Sequence, residues 1–266
     1  MTTSYPRCPN IQIDDAWKPY RNEVQRYLDL ISTTFAGRTL FKFVAQRAPR
    51  TILIKPNFSP PVQAITTPDS ERDGYTRNEP VRRPVLLPDG TPATLPDGTV
   101  VYAETGEIGT GRGTNATIEY HPAMWRQLAV NLHQTLPGAG PGEVLYHELV
   151  HAMRKLHGKT LRTPVPEQVF LDDFDEFCAI VAANMYRSER GFATLRLDHH
   201  GSSPMNPIMA QSIEFFNVHE VNLRRWFASQ REFCVELAGS PAKFNPLVLT
   251  AMDLGITVHT AMTLPS

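Results

Sequence analysis

Hydrophobic residues return at helical spacing in several stretches of the chain. Between Ile11 and Phe43 apolar side chains recur every three or four residues and are interrupted at Gly37, which predicts one helix followed by a shorter one. Residues 51–55 form a compact apolar run that predicts a short strand. The helical periodicity reappears at residues 218–237 and predicts an amphipathic helix. The predicted core face of that helix consists of Val221, Trp226, Phe227, Phe233, Cys234 and Leu237.

Residues 56–108 are different, because they are rich in proline, glycine, aspartate and threonine. The tripeptide Pro-Asp-Gly occurs at 88–90 and again at 96–98, and such sequences mark turns on either side of a hairpin strand. We therefore expect this segment to be loop and ribbon. It would be an excursion from a single domain that spans residues 1–266.

A glycine-started run at residues 111–121 predicts a strand, and residues 125–132 predict a short apolar helix after it. At the edge of a sheet, this strand would leave backbone N–H and C=O groups free between Thr114 and Tyr120. An extended peptide could then pair with those groups as an added strand. An ordinary internal strand explains the same pattern equally well, so both readings stay open at this point.

His147, Glu148 and His151 form the motif HExxH. The breaker run at 137–142 and the glycine at 158 predict the start and the end of a largely apolar helix around them. At about 100° per residue, His147 and His151 lie one above the other on a single face, where two neutral imidazoles can hold one Zn²⁺. Glu148 is offset by one residue, so its carboxylate can act as a general base without being a ligand. A histidine pair satisfied by other polar groups in a core is the alternative.

A catalytic zinc ion typically takes three protein ligands, so one more donor is required. Residues 171–191 predict a second helix with an acidic first turn. Glu176 is the expected third ligand, because it shares a helix face with small alanines that would allow close approach to the motif helix. Asp172 and Asp173 remain alternatives as a helix cap, as a hydrogen-bond partner of a ligand, or as the ligand itself. Asp175 is the weakest candidate.

A polar cluster follows the acidic helix and contains His199 and His200. If this cluster folds back over the metal, one of these histidines would stabilise the oxyanion that forms during hydrolysis. A solvated loop is the alternative. Tyr186 and Arg187 compete for the same role, but they lie roughly 15 Å along the helix from the expected third ligand.

Composition narrows the function classes. The chain has 266 residues, 41% of them hydrophobic, and a formal net charge of −1, which offers no electrostatic case for nucleic-acid binding. It contains no apolar run long enough to predict a membrane span, which takes about 18 residues. Its first residues lack the basic and apolar regions of a secretory signal peptide. We expect a monomeric protein made in the cytosol, with specialised export still open.

The cysteines have no paired spacing. Cys8, Cys178 and Cys234 are far apart in the sequence and belong to no CxxC pattern. Isolated cysteines of this kind argue for a reduced interior and against a disulfide framework. Cys178 lies about 200° around the helix from Glu176 and is expected in the core, away from the ligand face.

The order of glycine-started strand, breaker run, HExxH helix and downstream Glu176 followed by an alanine resembles the NleD-type zinc metallopeptidases over residues 109–191. Carried over position by position, the resemblance implies His147 and His151 as ligands, Glu148 as the base and Glu176 as the third ligand. Members of that family are effectors that bacterial secretion systems inject into host cells. The resemblance thus implies export of this chain as an effector or toxin.

We therefore expect an α+β, zincin-like fold with a small mixed sheet, an HExxH helix and a mainly helical part at residues 192–266. The expected function is that of a zinc-dependent endopeptidase acting on a protein or peptide substrate. Two alternatives stay open. The same site could hydrolyse a non-peptide amide, or the chain could be a non-catalytic binding module with a structural zinc, in which His199 or His200 would be a fourth ligand.

Overall fold

A computed structural model of the protein describes residues 1–58, 64–95, 100–131, 136–165, 173–198 and 203–259. The strands in these residues are β1 (Thr2–Tyr5), β2 (Cys8–Asp14), β3 (Ile52–Lys55), β4 (Ile65–Pro68), β5 (Pro80–Pro84), β6 (Tyr102–Ile108) and β7 (Ala116–Glu119). The helices are α1 (Lys18–Ser32), α2 (Phe35–Ala45), α3 (Glu71–Gly74), α4 (Pro122–Asn131), α5 (Pro141–Leu156), α6 (Phe174–Glu189), α7 (Ser212–Ser229), α8 (Arg231–Ala238) and α9 (Pro246–Asp253). The predicted α+β class with a small mixed sheet is confirmed.

Five strands form the main sheet in the order β1-β2-β3-β7-β4. β2, β3 and β7 are parallel to one another, whereas β1 and β4 run antiparallel to their neighbours. Alternate side chains of the central strands point to one face, as the pleat of a strand requires. Ile52, Ile54 and Ile118 are fully buried in this way and join the hydrophobic core under the helices.

The prediction of an edge strand between Thr114 and Tyr120 is wrong. β7 pairs with β3 on one side and with β4 on the other, so that Ile118 faces both Ile54 and Thr66. Its backbone groups are therefore engaged inside the sheet. The edge strand on this side of the sheet is β4, which packs against α5. It comes from the proline-rich segment and is too short and too polar to stand out as a strand.

The amino-terminal prediction also needs correction. Residues 8–14 form β2, and helical structure begins only at α1. The two helices are separated at Thr34, whose side chain accepts a hydrogen bond from the Gly37 backbone N–H at 2.9 Å and caps α2. Gly37 lies inside α2, where an added Cβ would come within 1.9 Å of the Ile31 carbonyl oxygen. The glycine thus serves close approach of the two helices.

The segment after β4 contributes α3 and a two-stranded ribbon made of β5 and β6. Bridges from Leu86 to Pro92 and from Thr94 to Val100 continue the ribbon beyond the strands. The Pro-Asp-Gly turn predicted at residues 96–98 lies outside the described residues.

In the carboxyl-terminal part, the single helix predicted at residues 218–237 is two helices, α7 and α8, which meet at Gln230. Val221 is 69% exposed, so its assignment to the core face is wrong. It lies about 140° around the helix from Trp226, which is fully buried. Phe233 and Leu237 of α8 are buried as predicted.

Helix α5 lies at the centre of this arrangement. It packs against β4 and β7 of the sheet and against α1, α2 and α6. Its side chains from Gly142 to Leu156 are all buried, the polar ones included. None of the described helices has the length and apolar character needed to cross a membrane.

Candidate metal centre

Helix α5 places the two motif histidines in the interior. Pro141 opens the helix, where its missing N–H costs nothing, and Gly158 follows the helix end with a φ of 62°. His147 and His151 are one turn apart on the face towards α6, with exposures of 2% and 4%. The predicted end of this helix is confirmed, and its start lies at Pro141, inside the breaker run.

Glu176 approaches the histidines from the first turn of α6. Asp173 is the N-cap of that helix, and its carboxylate accepts hydrogen bonds from the backbone N–H groups of Asp175 at 2.8 Å and Glu176 at 3.0 Å. Ala179 and Ala183 lie further along α6 and are fully buried. Small side chains at these positions let α6 pack closely against α5.

Three donor atoms meet between the helices. His147 Nε2 and His151 Nε2 are 3.1 Å apart, and each lies 3.2 Å from Glu176 Oε2. For a tetrahedral zinc ion with bonds of about 2.0–2.1 Å, neighbouring ligand atoms are separated by roughly 3.3 Å. The spacing, the burial and the donor types therefore fit a zinc ion, and these three residues form a group that could hold a metal.

A further pair of residues fixes one of the imidazoles. His151 Nδ1 lies 2.7 Å from Asp175 Oδ2, and the other oxygen of that carboxylate accepts a hydrogen bond from Arg154 Nε at 2.6 Å. Arg154 and Asp175 are both fully buried. Since Asp175 accepts from Nδ1, Nε2 is the ring nitrogen of His151 that faces His147 and Glu176. Arg154 also donates to the side chain of Gln230 and to the Lys159 carbonyl oxygen.

The electrostatic environment of the group favours a cation. Burial lowers the pKa of His147 to about 4, so this imidazole is neutral at pH 7, the form that binds metals. Burial also acts against a charged His151, but the nearby carboxylates of Glu176 and Asp175 outweigh it and raise the pKa of His151 to about 10. Burial would raise the pKa of Asp175, yet Arg154 and His151 hold it below its usual value.

Glu148 faces the edge strand. Its carboxylate Oε2 accepts a hydrogen bond from the Thr66 hydroxyl at 2.6 Å, and the same hydroxyl lies 3.2 Å from the Glu148 backbone oxygen. Glu148 is 7% exposed and Thr66 is 9% exposed. The edge strand therefore touches the carboxylate that follows the first motif histidine.

The other acidic ligand candidates lie outside the group of three donor atoms or outside the described residues. Asp173 caps α6 and accepts from Arg162 Nη1 at 2.9 Å, so it is not among the grouped donors. Asp175, the weakest ligand candidate, is the partner of His151 instead. Asp172 lies outside the described residues, as do His199 and His200.

Tyr186 and Arg187 are engaged away from the three donors. Tyr186 stacks on Tyr146 with ring centroids 4.6 Å apart, and Arg187 forms a buried ion pair with Glu143 at 2.7 Å. The described start of the polar cluster does return to α6, because the Arg196 backbone N–H donates to Asn184 Oδ1 at 2.7 Å. Arg196 is 8% exposed.

Two residues of the site escaped prediction from the sequence. Arg154 reads as an ordinary basic residue in the last turn of a helix, although its position three residues after His151, in a helix apolar on every side, was a usable signal. Thr66 gave no signal, since its contact depends on where β4 docks. The three cysteines are buried and free of disulfides, as expected.

Comparison with known proteins assigns the chain to a family. The sequence model of the family Peptidase_M91, described as effector protein, matches residues 10–225, a span that includes β2 through most of α7. Neither the curated proteins nor the solved structures gave a match. The family match covers most of the chain and confirms the resemblance drawn from the motif. The chain therefore belongs to the M91 peptidases, the NleD-type family of effector proteins.

Proposed function

We propose that the chain is a zinc-dependent endopeptidase with a zincin-like fold. The observation that carries the proposal is the meeting of His147 Nε2, His151 Nε2 and Glu176 Oε2 at 3.1–3.2 Å from one another, with Glu148 next to the first histidine. Membership of a peptidase family supports the reaction class. Two imidazoles and a carboxylate are a donor set of catalytic zinc sites, which leave one position open.

The chemistry follows from the proposed roles. His147, His151 and Glu176 would hold the zinc ion, which would supply a Lewis acid for the scissile carbonyl and for a nearby water. Glu148 takes the proton from the attacking water and afterwards delivers it to the leaving amine. Asp175 keeps the Nδ1 proton of His151 in place, so that Nε2 stays available as a ligand.

We place the substrate on β4. Among the described residues this strand pairs only with β7, so its outer edge has backbone groups available for an extended peptide. Thr66, in the middle of that strand, donates its hydroxyl hydrogen to Glu148. A peptide added to β4 would therefore have its backbone beside Glu148, the proposed base. The same strand would orient both the peptide and the Glu148 carboxylate.

The effector description of the family supports a proposed cellular role. In this proposal the protein is a monomer made in the bacterial cytoplasm, and a specialised secretion system delivers it into a host or target cell. There it would cleave a protein substrate and act as a virulence factor or toxin.

The two other function classes predict different sites. A structural zinc in a binding module would have a fourth protein ligand, whereas the grouped donors among the described residues are three. A hydrolase of non-peptide amides would keep the open position and the base but would not cleave peptides. Neither a binding module nor a non-peptide amidase would cleave a peptide library, whereas the proposed endopeptidase would.

The test compares Glu148→Gln with the wild-type chain in zinc content and in cleavage of a peptide library. Both proteins should bind equimolar zinc, and turnover of the variant should fall by at least about 10²-fold, because a positioned acid–base group typically contributes that much. Glu104→Gln, which removes an exposed carboxylate on β6, is the matched control and should cleave like the wild type. Unimpaired cleavage by Glu148→Gln, or zinc without cleavage in the wild type, would contradict the proposal.

A further inference from the structure

A cavity of about 390 Å³ lies beyond the carboxyl-terminal end of α5. Its wall brings together cationic side chains from three separate parts of the chain, namely Arg47 after α2, Lys159 after α5 and Arg231 at the start of α8. His157 also lines it, and Glu232 is the one acidic side chain of this lining. The chain as a whole has a net charge of −1, so this positive charge is confined to the lining of the cavity.

Within the part of the chain that the structure describes, the three cations have no acidic partner. Arg47, Lys159 and Arg231 take part in none of the ion pairs between described residues. Arg47 Nε donates to His157 Nδ1 at 2.9 Å, and His157 Nε2 donates to the Phe43 carbonyl oxygen at 2.9 Å. This arrangement fixes His157 as the neutral tautomer, and the terminal amino groups of Arg47 remain for a ligand.

The first turn of α8 carries uncapped backbone N–H groups next to Arg231, together with the acidic Glu232. Gln230 precedes this helix but does not cap it, because its side-chain oxygen accepts hydrogen bonds from Arg154 and from the Trp226 ring N–H. The first backbone N–H groups of a helix without such a cap carry partial positive charge. Arg231, the first residue of α8, lies in the cavity wall.

Burial and neighbouring cations disfavour the charged form of Lys159. Burial, and then the charges of Arg154 and Arg47, lower the pKa of Lys159. A bound anion would relieve this repulsion and accept hydrogen bonds from several donors at once. The cations that line this cavity therefore resemble the lining of an anion-binding site.

We propose that this cavity binds a small anion that carries a diphosphate group. Guanidinium and ammonium groups from three segments of the wall match phosphate oxygens in charge and in hydrogen-bonding capacity. A volume of about 390 Å³ exceeds what a single inorganic phosphate fills and falls within the range of small-ligand sites. The cavity shares no lining residue with the proposed metal site, so the proposal does not depend on the peptidase function.

The test is isothermal titration calorimetry of the full chain with inorganic pyrophosphate and, separately, with adenosine diphosphate. Lys159→Gln and Arg231→Gln should each weaken binding by about tenfold or more, as expected for the loss of a charged hydrogen-bond partner. Lys18→Gln is the matched control, because it removes an exposed lysine that does not line the cavity. It should bind like the wild type. Gln230 is left unchanged, since it holds Arg154.

Pyrophosphate also binds zinc, so the titration includes Glu176→Gln. That variant should keep pyrophosphate binding if the ligand sits in the cavity. Tighter binding of the nucleotide than of pyrophosphate would identify a nucleotide as the source of the diphosphate, and the reverse would identify the free anion. Binding that survives in both Lys159→Gln and Arg231→Gln, or that disappears in Glu176→Gln, would overturn the proposal, as would no binding by the wild type.

Discussion

Replacing Asp175 by asparagine should affect two measurable properties. The loss of its buried charge should lower the free energy of unfolding, and the loss of its hydrogen bond to His151 should lower the zinc affinity. The carboxylate of Asp175 is fully buried and accepts from Arg154 Nε at 2.6 Å and from His151 Nδ1 at 2.7 Å. Asparagine preserves the shape but removes the negative charge, and it turns one oxygen acceptor into a donor. Arg154 would then be a buried cation without its ion-pair partner.

The expected cost follows from that loss. Removing one partner of a buried ion pair typically costs about 3–5 kcal/mol of unfolding free energy. Arg154 keeps its hydrogen bonds to Gln230 and to the Lys159 carbonyl, so the lower end of the range, about 3 kcal/mol, is expected. The zinc affinity should fall by roughly 10–100-fold, since the imidazole of His151 loses the acceptor that orients it.

Urea unfolding followed by circular dichroism, with a chelator present so that metal binding does not contribute, measures the first effect. Arg154→Met and the double variant complete a double-mutant cycle. Because the second substitution removes the orphaned charge, the pair should be coupled by about 1–3 kcal/mol. Asp89→Asn, at an exposed aspartate, is the control and should change stability by less than about 0.5 kcal/mol. An Asp175→Asn protein as stable as the wild type, or an additive cycle, would refute the reasoning.

Three further outcomes are expected. Thr66→Val should lower kcat for peptide cleavage by roughly 10–100-fold, because a hydrogen bond to a charged group is lost, whereas Thr66→Ser should retain most activity. Equal rates for the valine variant would contradict a role for the contact between Thr66 and Glu148, the proposed base. Burial lowers the pKa of His157 from its ordinary 6.5 to about 4, so the folded state binds fewer protons than the unfolded state. Its contribution to stability is complete above pH 6.5 and is lost as the pH falls towards 4, by at most about 3 kcal/mol, and His157→Gln should show a shallower loss in acid unfolding curves. Cys8, Cys178 and Cys234 should react with a thiol reagent only after denaturation, and rapid labelling of the native chain would speak against their burial.

The central residues of the site were predictable because they depend on local geometry. The spacing of His147 and His151 puts both on one helix face, and nothing outside the helix is needed for that inference. Glu176 required a guess about packing between two helices, and the small residues Ala179 and Ala183 made it possible. The role of Asp175 could not be predicted from the sequence. It lies next to Glu176, and only its observed ion pair with Arg154 explains why it is a buried partner of His151.

The errors in the fold share a physical cause, which is that strand pairing is decided by distant residues. β4 is four residues long and lies in a proline-rich segment, so its own sequence does not reveal that it docks along β7 and reaches Glu148. The strand at residues 8–14 was not predicted, because the apolar residues of α1 that follow it recur at helical spacing and the pattern was extended back to Ile11. Val221 was misplaced because it lies about 140° around α7 from Trp226, so the two side chains do not share a face.

The measurement that tests the central claim most directly is a crystal structure of the full chain with anomalous diffraction collected at the zinc absorption edge. The account predicts one anomalous peak within about 2.0–2.2 Å of His147 Nε2, His151 Nε2 and a Glu176 carboxylate oxygen, with a solvent molecule at the fourth position. A peak bound by a fourth protein side chain would contradict the proposed peptidase site, and no peak between these three residues would contradict the metal centre itself.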